Sequence, residues 1–241
     1  CVHLMDAAIG RFVDRLAQLG VLDNTVLFFL SDNGGNAESG PDGRSEGDPT
    51  TGRSNWFCGE SWALLQNTPF RRYKHYVHEG GIATPLIVHW PAGIREPGRW
   101  VHAPSHVVDI PVTVLDLAGV SWPRERAGRP APAVDGVSLR TFLEEPAWTP
   151  PHRMLFWEHE GNAAVLDGAL KLVRLGRQGA WELYDTASDR TELRNLATER
   201  SEDVRRLAAV WEDWAQRSRV VPAPGQERAG RNPGAETQGE A

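Results

Sequence analysis

The chain has 241 residues, 40% of them hydrophobic and 24% charged, with a net charge of −6. That length suits one large domain or a medium one with a small companion, and the composition is that of an ordinary globular protein. A modestly acidic chain is a poor match for a phosphate backbone, so nucleic acid is set aside as a partner. The longest apolar run, Val26-Leu27-Phe28-Phe29-Leu30, falls far short of the ~20 residues that cross a bilayer, so no segment reads as a membrane span. Two cysteines, Cys1 and Cys58, leave both pairing and compartment open. Ten tryptophans read first as packing residues. The sequence opens on Cys1, without an initiator Met or a signal peptide, and runs straight into a helical pattern, which reads as a cut end.

Ile9, Phe12, Val13, Leu16 and Leu19 repeat at helical spacing, so residues 4–19 are predicted to form a helix stopped by Gly20. Asp23-Asn24 turns the chain. Thr25 to Leu30 is apolar or β-branched throughout, the pattern of a strand buried on both faces of a parallel sheet. From residue 36 to about Thr68 no period persists. A loop that long is usually functional or disordered, and Trp56, Phe57 and Trp62 suggest that it packs in part over a pocket. A second buried strand is predicted at Pro85–Trp90. A short helix follows over 109–118, with Asp109 as its cap, Pro111 in its first turn and Gly119 as its stop. A Pro- and Arg-rich loop spans 123–132.

After about Pro150 the pattern changes to short strands near 154–157, 163–166, 170–174 and 180–184, with Asp167-Gly168 as a hairpin turn. Val204, Leu207, Ala208, Trp211 and Trp214 mark a closing helix. The expectation is a small antiparallel sheet covered by one helix. From Pro222 on there is no large apolar residue, so residues 219–241 are expected to be a disordered tail.

Two clusters carry chemistry. The first is Ser31-Asp32-Asn33-Gly34-Gly35, just past a strand end, where open α/β sheets bind ligands. Asp32 and Asn33 offer a carboxylate beside an amide oxygen, two hard donors suited to Ca2+ or Mg2+. Gly34 and Gly35 would permit a sharp turn and leave room for a ligand. A plain turn is the competing reading, since Asn-Gly is a hairpin signal; against it, no strand follows. The second cluster is Phe70-Arg71-Arg72-Tyr73-Lys74-His75-Tyr76-Val77-His78-Glu79-Gly80-Gly81. It is either a solvated basic turn or an anion-binding loop with Lys74 as its cation.

These clusters in order, followed by Thr84-Pro85-Leu86-Ile87-Val88-His89-Trp90-Pro91, resemble the type I sulfatases of the alkaline phosphatase superfamily. Val108-Asp109-Ile110-Pro111 through Gly119, Val134-Asp135-Gly136-Val137-Ser138-Leu139, and Trp181-Glu182-Leu183-Tyr184-Asp185 with Asn195-Leu196-Ala197 extend the resemblance to about residue 215. It implies an α/β fold, part of a sulfatase sheet with flanking helices, plus a small C-terminal antiparallel sheet with one helix. Residues 1–150 would be the C-terminal part of the catalytic domain and 151–218 a small α+β subdomain.

The resemblance also implies hydrolysis of a small-molecule or carbohydrate sulfate ester. Asp32 and Asn33 would ligate one divalent cation, usually Ca2+, and Lys74 would contact a sulfate oxygen and the ester oxygen. Glu79, Gly80 and Gly81 would shape the turn. A periplasmic or extracellular location is expected by family analogy. The family nucleophile is a formylglycine made in a Cys-x-Pro-x-Arg or Ser-x-Pro-x-Arg motif, and this sequence has neither: Cys1 precedes Val-His-Leu-Met and Cys58 precedes Gly-Glu-Ser-Trp. The expectation is therefore a C-terminal portion with about half an active site, inactive by itself. The family also commonly has Arg and Trp where this chain has Leu166 and Leu170. Two alternatives stand beside it: a phosphonate or phosphate monoester hydrolase of the same superfamily, and a non-catalytic remnant that only binds.

Overall fold

The computed structural model describes residues 2–52, 55–145 and 154–220. The expected tail lies outside the described residues from 221 on, as does the expected domain boundary near 150. The described residues divide into two compact units that do not follow chain order: residues 2–30 with 86–145, and residues 31–52 and 55–85 with 154–220.

In the first unit, α1 (Val2–Gln18) is followed by a 3-10 turn at Leu22–Asn24 and by β1 (Leu27–Leu30). Gly20, at φ 69°, ends the helix as its position predicts. β1 pairs with β4 (Leu86–His89), with Leu27 opposite His89 and Leu30 opposite Leu86. The pairing is antiparallel, not the parallel arrangement expected from the buried-strand pattern. A run of apolar residues specifies burial but not direction, and the 55 residues between the strands are long enough to return the chain either way. Nor are the two strands fully covered within this chain: Phe29 is 45% and Ile87 59% exposed.

Helix α4 (Asp109–Leu117) and α5 (Arg140–Glu144) complete the unit, together with a small ladder of β5 (Glu125–Arg126) and β6 (Arg129–Pro130) that the Pro-rich loop had concealed. Asp109 does not cap its own helix. Its buried carboxylate accepts the amides of His106 and Val137 at 2.8 and 2.9 Å, while Thr113 Oγ1 accepts the amide of Leu139 at 2.8 Å. Two of the sequence motifs, Asp109–Gly119 and Val134–Leu139, are thus halves of one hydrogen-bonded structure.

The second unit begins with a hairpin of β2 (Arg44–Glu46) and β3 (Asn55–Phe57), then α2 (Glu60–Gln66) and the one-turn helix α3 (Glu79–Ile82). The stretch predicted to be featureless therefore holds regular structure. Its elements are three to seven residues long, too short to establish a period. The expected packing of its aromatic residues is not seen: Trp56 is 53% and Trp62 62% exposed, and Trp56 Nε1 donates to the Gly47 carbonyl at 2.9 Å.

The core is a four-stranded antiparallel meander, β7 (Met154–His159), β8 (Asn162–Asp167), β9 (Leu170–Arg174) and β10 (Glu182–Asp185), in sequential order. Helix α6 (Ser201–Arg217) lies across one face, where Leu207, Trp211 and Ala215 meet Ala163, Val165, Leu172 and Leu183. Sheet, turns and covering helix agree with the sequence reading; Leu166 is buried and Leu170 packs against this cluster.

The other face was not foreseen as covered. Alternate residues Ala164, Val173 and Tyr184 point away from α6 and pack with Val77, Ile82 and Trp157. The chain around Val77 thus serves as the second cover of the sheet. Truncating Leu207, which is fully buried at the helix–sheet contact, is expected to lower unfolding free energy by about 2–5 kcal/mol. Urea titration of the Leu207→Ala chain, followed by circular dichroism, measures it.

Candidate active site

The residues singled out in the sequence come together in the second unit through their backbones. The Gly34 amide donates to the Gly81 carbonyl at 3.1 Å, and the Lys74 amide donates to the Gly35 carbonyl at 2.9 Å. Asn67 secures both sides: its Oδ1 accepts the Gly35 amide at 2.9 Å and its Nδ2 donates to the Arg72 carbonyl at 3.1 Å. Thr84 Oγ1 donates to the Ser31 carbonyl at 2.9 Å. The loop bearing Asp32 and Asn33 is in this way fastened to the loop bearing Lys74.

Glycine is required here for close approach, not for the sharp turn expected of Gly34. Neither Gly34 nor Gly35 has a positive φ. A Cβ on Gly34 would overlap the Gly80 carbonyl oxygen, and one on Gly81 would overlap that of Tyr76. Gly80 faces the carbonyls of Arg71 and Arg72 in the same manner. The backbone of the second loop takes the strained positions instead, with Arg72 at φ 67° and His75 at φ 83°.

Asp32 is exposed and Asn33 half-buried, and neither side chain has a hydrogen-bond partner among the described residues. Two uncommitted hard oxygens on adjacent residues fit a Ca2+ or Mg2+ ion as ligands, though they are only part of the six or more oxygens that calcium takes. Lys74 Nζ rests on Glu38 Oε2 at 3.1 Å, and His75 Nε2 lies 3.1 Å from Glu38 Oε1. The Lys74 hydrogen bond is the main reason why the Glu38 carboxyl sits below its usual range.

Arg71 and His78 of the second cluster turn inward, while Arg72 lies over the Tyr76 ring. Arg71 donates to Tyr184 Oη at 2.7 Å, to the Glu192 carbonyl at 2.8 Å and to Glu182 at 3.3 Å. His78, fully buried, has Nε2 3.4 Å from Glu182 Oε2. The hydrogen bond from His78, with that from Tyr184, holds the Glu182 carboxyl down at about 2 against the opposing effect of burial.

Beneath them Lys171 is fully buried with Nζ 2.8 Å from Glu79 Oε1 and 2.9 Å from Glu192 Oε1, the latter an ion pair without hydrogen-bond alignment. Glu192 Oε2 accepts the Glu79 amide at 2.9 Å, and Arg190 reaches Glu79 Oε2 at 3.2 Å. Two carboxylates against two cations leave the cluster neutral, the condition under which charges can be buried at tolerable cost. Burial pushes the Glu79 carboxyl up, but Lys171 and Arg190 outweigh it and the net shift is downward. Glu79 therefore anchors the loop to the sheet, in keeping with the turn-shaping role implied for it. Arg71, His78 and Glu182 stand in the sequence only as parts of motifs, and their pairing, like that of Lys171 with Glu79, is not legible there because the partners lie 92–121 residues apart.

Comparison with known proteins fits this arrangement. A structure of a protein in complex with its substrate D-glucosamine-2-N,6-O-disulfate superimposes with a TM-score of 0.59 at 23% identity, over 98% of this chain and 41% of that one, which establishes the fold. The family model described as "Sulfatase" matches residues 1–120, and "N-sulphoglucosamine sulphohydrolase, C-terminal" matches 71–213. An uncharacterized sulfatase of Schizosaccharomyces pombe is 31% identical over 92% of this chain and 43% of its own length. An arylsulfatase of Klebsiella aerogenes is 34% identical over 56% of this chain and 32% of its own. The chain belongs to the sulfatase family of the alkaline-phosphatase-like superfamily, and it spans less than half the length of these relatives.

Two outcomes follow from the packing. Gly34→Ala is expected to destabilise the second unit by about 1–3 kcal/mol through overpacking, whereas Gly52→Ala, with no atom near its Cβ, is expected to be neutral; thermal unfolding of both distinguishes them. Glu182 has a folded pKa of about 2 against an ordinary 4.5. Its contribution is complete above pH 4.5 and is lost as pH falls toward 2, so Glu182→Gln should flatten the acid limb of a stability–pH profile in that window.

Proposed function

We propose that this chain supplies part of the sulfate-binding site of a sulfuric ester hydrolase, with Asp32 and Asn33 as ligands of a Ca2+ or Mg2+ ion and Lys74 as the cation for sulfate and ester oxygens. The reading rests above all on the pair of backbone bonds, Gly34 to Gly81 and Lys74 to Gly35, that fasten the acid–amide pair and the lysine into one loop cluster. Cleavage of a sulfate ester places growing negative charge on the ester oxygen. A fixed ammonium group there stabilises the transition state more than the ground state. A bound divalent ion polarises the sulfate as a Lewis acid.

The rest is done by the chain itself. Asp32 and Asn33 present their oxygens from a segment that the glycine contacts hold rigid. Lys74 is held in place by resting on Glu38, and passes from that carboxylate to the sulfate when substrate arrives. The nucleophile we assign to the whole enzyme is a formylglycine. Cys58 is a free, exposed thiol outside the required motif and is not its precursor. For substrate we propose a carbohydrate or small-molecule sulfate ester, supported by the disulfated glucosamine bound to the structural relative and by the arylsulfatase relative. In the whole enzyme, Lys74→Ala is expected to lower kcat/KM for an aryl sulfate by ~100- to 1000-fold. Asp32→Ala is expected to remove the heat of Ca2+ binding in calorimetry. A Lys74→Ala enzyme that keeps wild-type kcat/KM would end this assignment.

A further inference from the structure

A second group of donors lies beside Lys74, built from different elements. His75 sits on the loop between α2 and α3, at φ 83°. His159 ends β7 and Glu160 begins the turn to β8, at φ 52°. His75 Nδ1 is 3.1 Å from His159 Nε2 and 3.1 Å from a Glu160 carboxylate oxygen. One donor atom from each of the three residues lies within 4.8 Å of the other two. Two ligand atoms on a tetrahedral zinc, each at about 2.0–2.1 Å from the metal, are themselves a little over 3 Å apart. The two separations from His75 Nδ1 are already close to those of a coordination sphere.

The surroundings supply what such a site needs. His75 Nε2 is 3.1 Å from Glu38 Oε1, so the ring can give its Nε2–H to a carboxylate and turn the Nδ1 lone pair toward His159 and Glu160. A carboxylate behind the outer nitrogen is the usual companion of a metal-bound imidazole, because it fixes the tautomer and raises ligand basicity. The frame is tied as well: Asn162 Nδ2 donates to the His75 carbonyl at 2.9 Å, and its Oδ1 accepts the Gly176 amide at 2.9 Å. His159 and Glu160 are exposed and His75 half-buried, so an ion is reached from solvent and a water can complete its coordination.

We propose that His75, His159 and Glu160 form a transition-metal site, with two imidazole nitrogens and one carboxylate selecting a borderline dication of the Zn2+ class over Ca2+ or Mg2+. The site stands apart from the calcium assignment at Asp32 and Asn33, shares no ligand with it and does not depend on it. It is linked to Lys74 through Glu38, whose two oxygens face Lys74 and His75. Metal binding therefore fixes the histidine that fixes the carboxylate on which the lysine rests.

Titration of Zn2+ into the 241-residue chain, in competition with a chromophoric chelator, tests this. One equivalent is expected to bind, and Co2+ in its place should show the ligand-field absorption of a nitrogen- and oxygen-ligated ion. His159→Ala and Glu160→Gln, both at an exposed hairpin end and checked for folding by circular dichroism, should each weaken the site. Glu38→Gln should weaken it by about 10- to 100-fold through the outer ring nitrogen. Stoichiometric binding lost in these variants supports the site, and Asp32→Ala should leave it unchanged. Absence of Zn2+ binding, the outcome if His75 is instead an imidazolium held between Glu38 and Glu160, overturns it. Zn2+ binding undiminished by His159→Ala and Glu160→Gln overturns it as well.

Discussion

The second unit depends on a contact in which no side chain takes part. The backbone at Gly34 runs so close to the backbone at Gly80 that a methyl group cannot enter, and the Gly34 amide closes the gap by bonding to Gly81. Close approach lets the loop after β1 share hydrogen bonds with the loop before α3, and Asn67 and Thr84 then reinforce the same junction. Asp32 and Asn33 are thereby held without spending their own side chains on structure. Their side-chain oxygens have no hydrogen-bond partner among the described residues.

The lysine loop is held from below by charge. Burying Lys171 with Glu79 and Glu192 is tolerable because Arg190 balances the group and because the backbone amide of Glu79 satisfies a carboxylate oxygen. Such an arrangement gains little net stability over an apolar equivalent. It does reject misplacement of the loop, since a shift of α3 would strand a buried charge. Arg71 and His78 act alike on Glu182, which answers why a segment with so many cations is not a solvated turn. Its charges are divided by direction. Arg71, His78 and Glu79 face the sheet, while Lys74 and His75 face outward and converge on Glu38.

That outward pair gives the surface its chemistry. A lysine and a histidine adjacent in sequence would ordinarily point apart. Here the positive φ of His75 brings both polar ends to one carboxylate. The same twist presents the other nitrogen of the ring to the β7–β8 turn. A single unusual backbone conformation thus connects Lys74 to His159 and Glu160 on a different element.

How much of this was legible in the sequence varied with the range of the interaction. Helices α1 and α6 follow from periodicity, α4 from its terminal signals, and the meander and the strands at 27–30 and 86–89 from short apolar runs, but burial does not always follow: α1 has no buried residue among those described. The motif Trp181–Asp185 with Asn195 was visible, and its reason is a side chain amide: Asn195 Oδ1 accepts the amides of Leu183 and Ala197. The antiparallel direction of β1 and β4, the structure within residues 44–66 and the use of residues 70–82 as the second cover of the sheet were not visible.

By itself the sequence determined which residues could bear chemistry, because a carboxylate beside an amide, a lysine before a glutamate and paired glycines are properties of composition and order. Tertiary structure alone decided what each was used for. Gly34 serves proximity where a turn was expected, Glu79 pairs with a lysine 92 residues away, and His75 meets His159 across 84 residues. The physical reason is the same in each case. Hydrogen bonds and ion pairs act over about 3 Å in space, and distance along the chain carries no information about which groups will come that close until the backbone has folded.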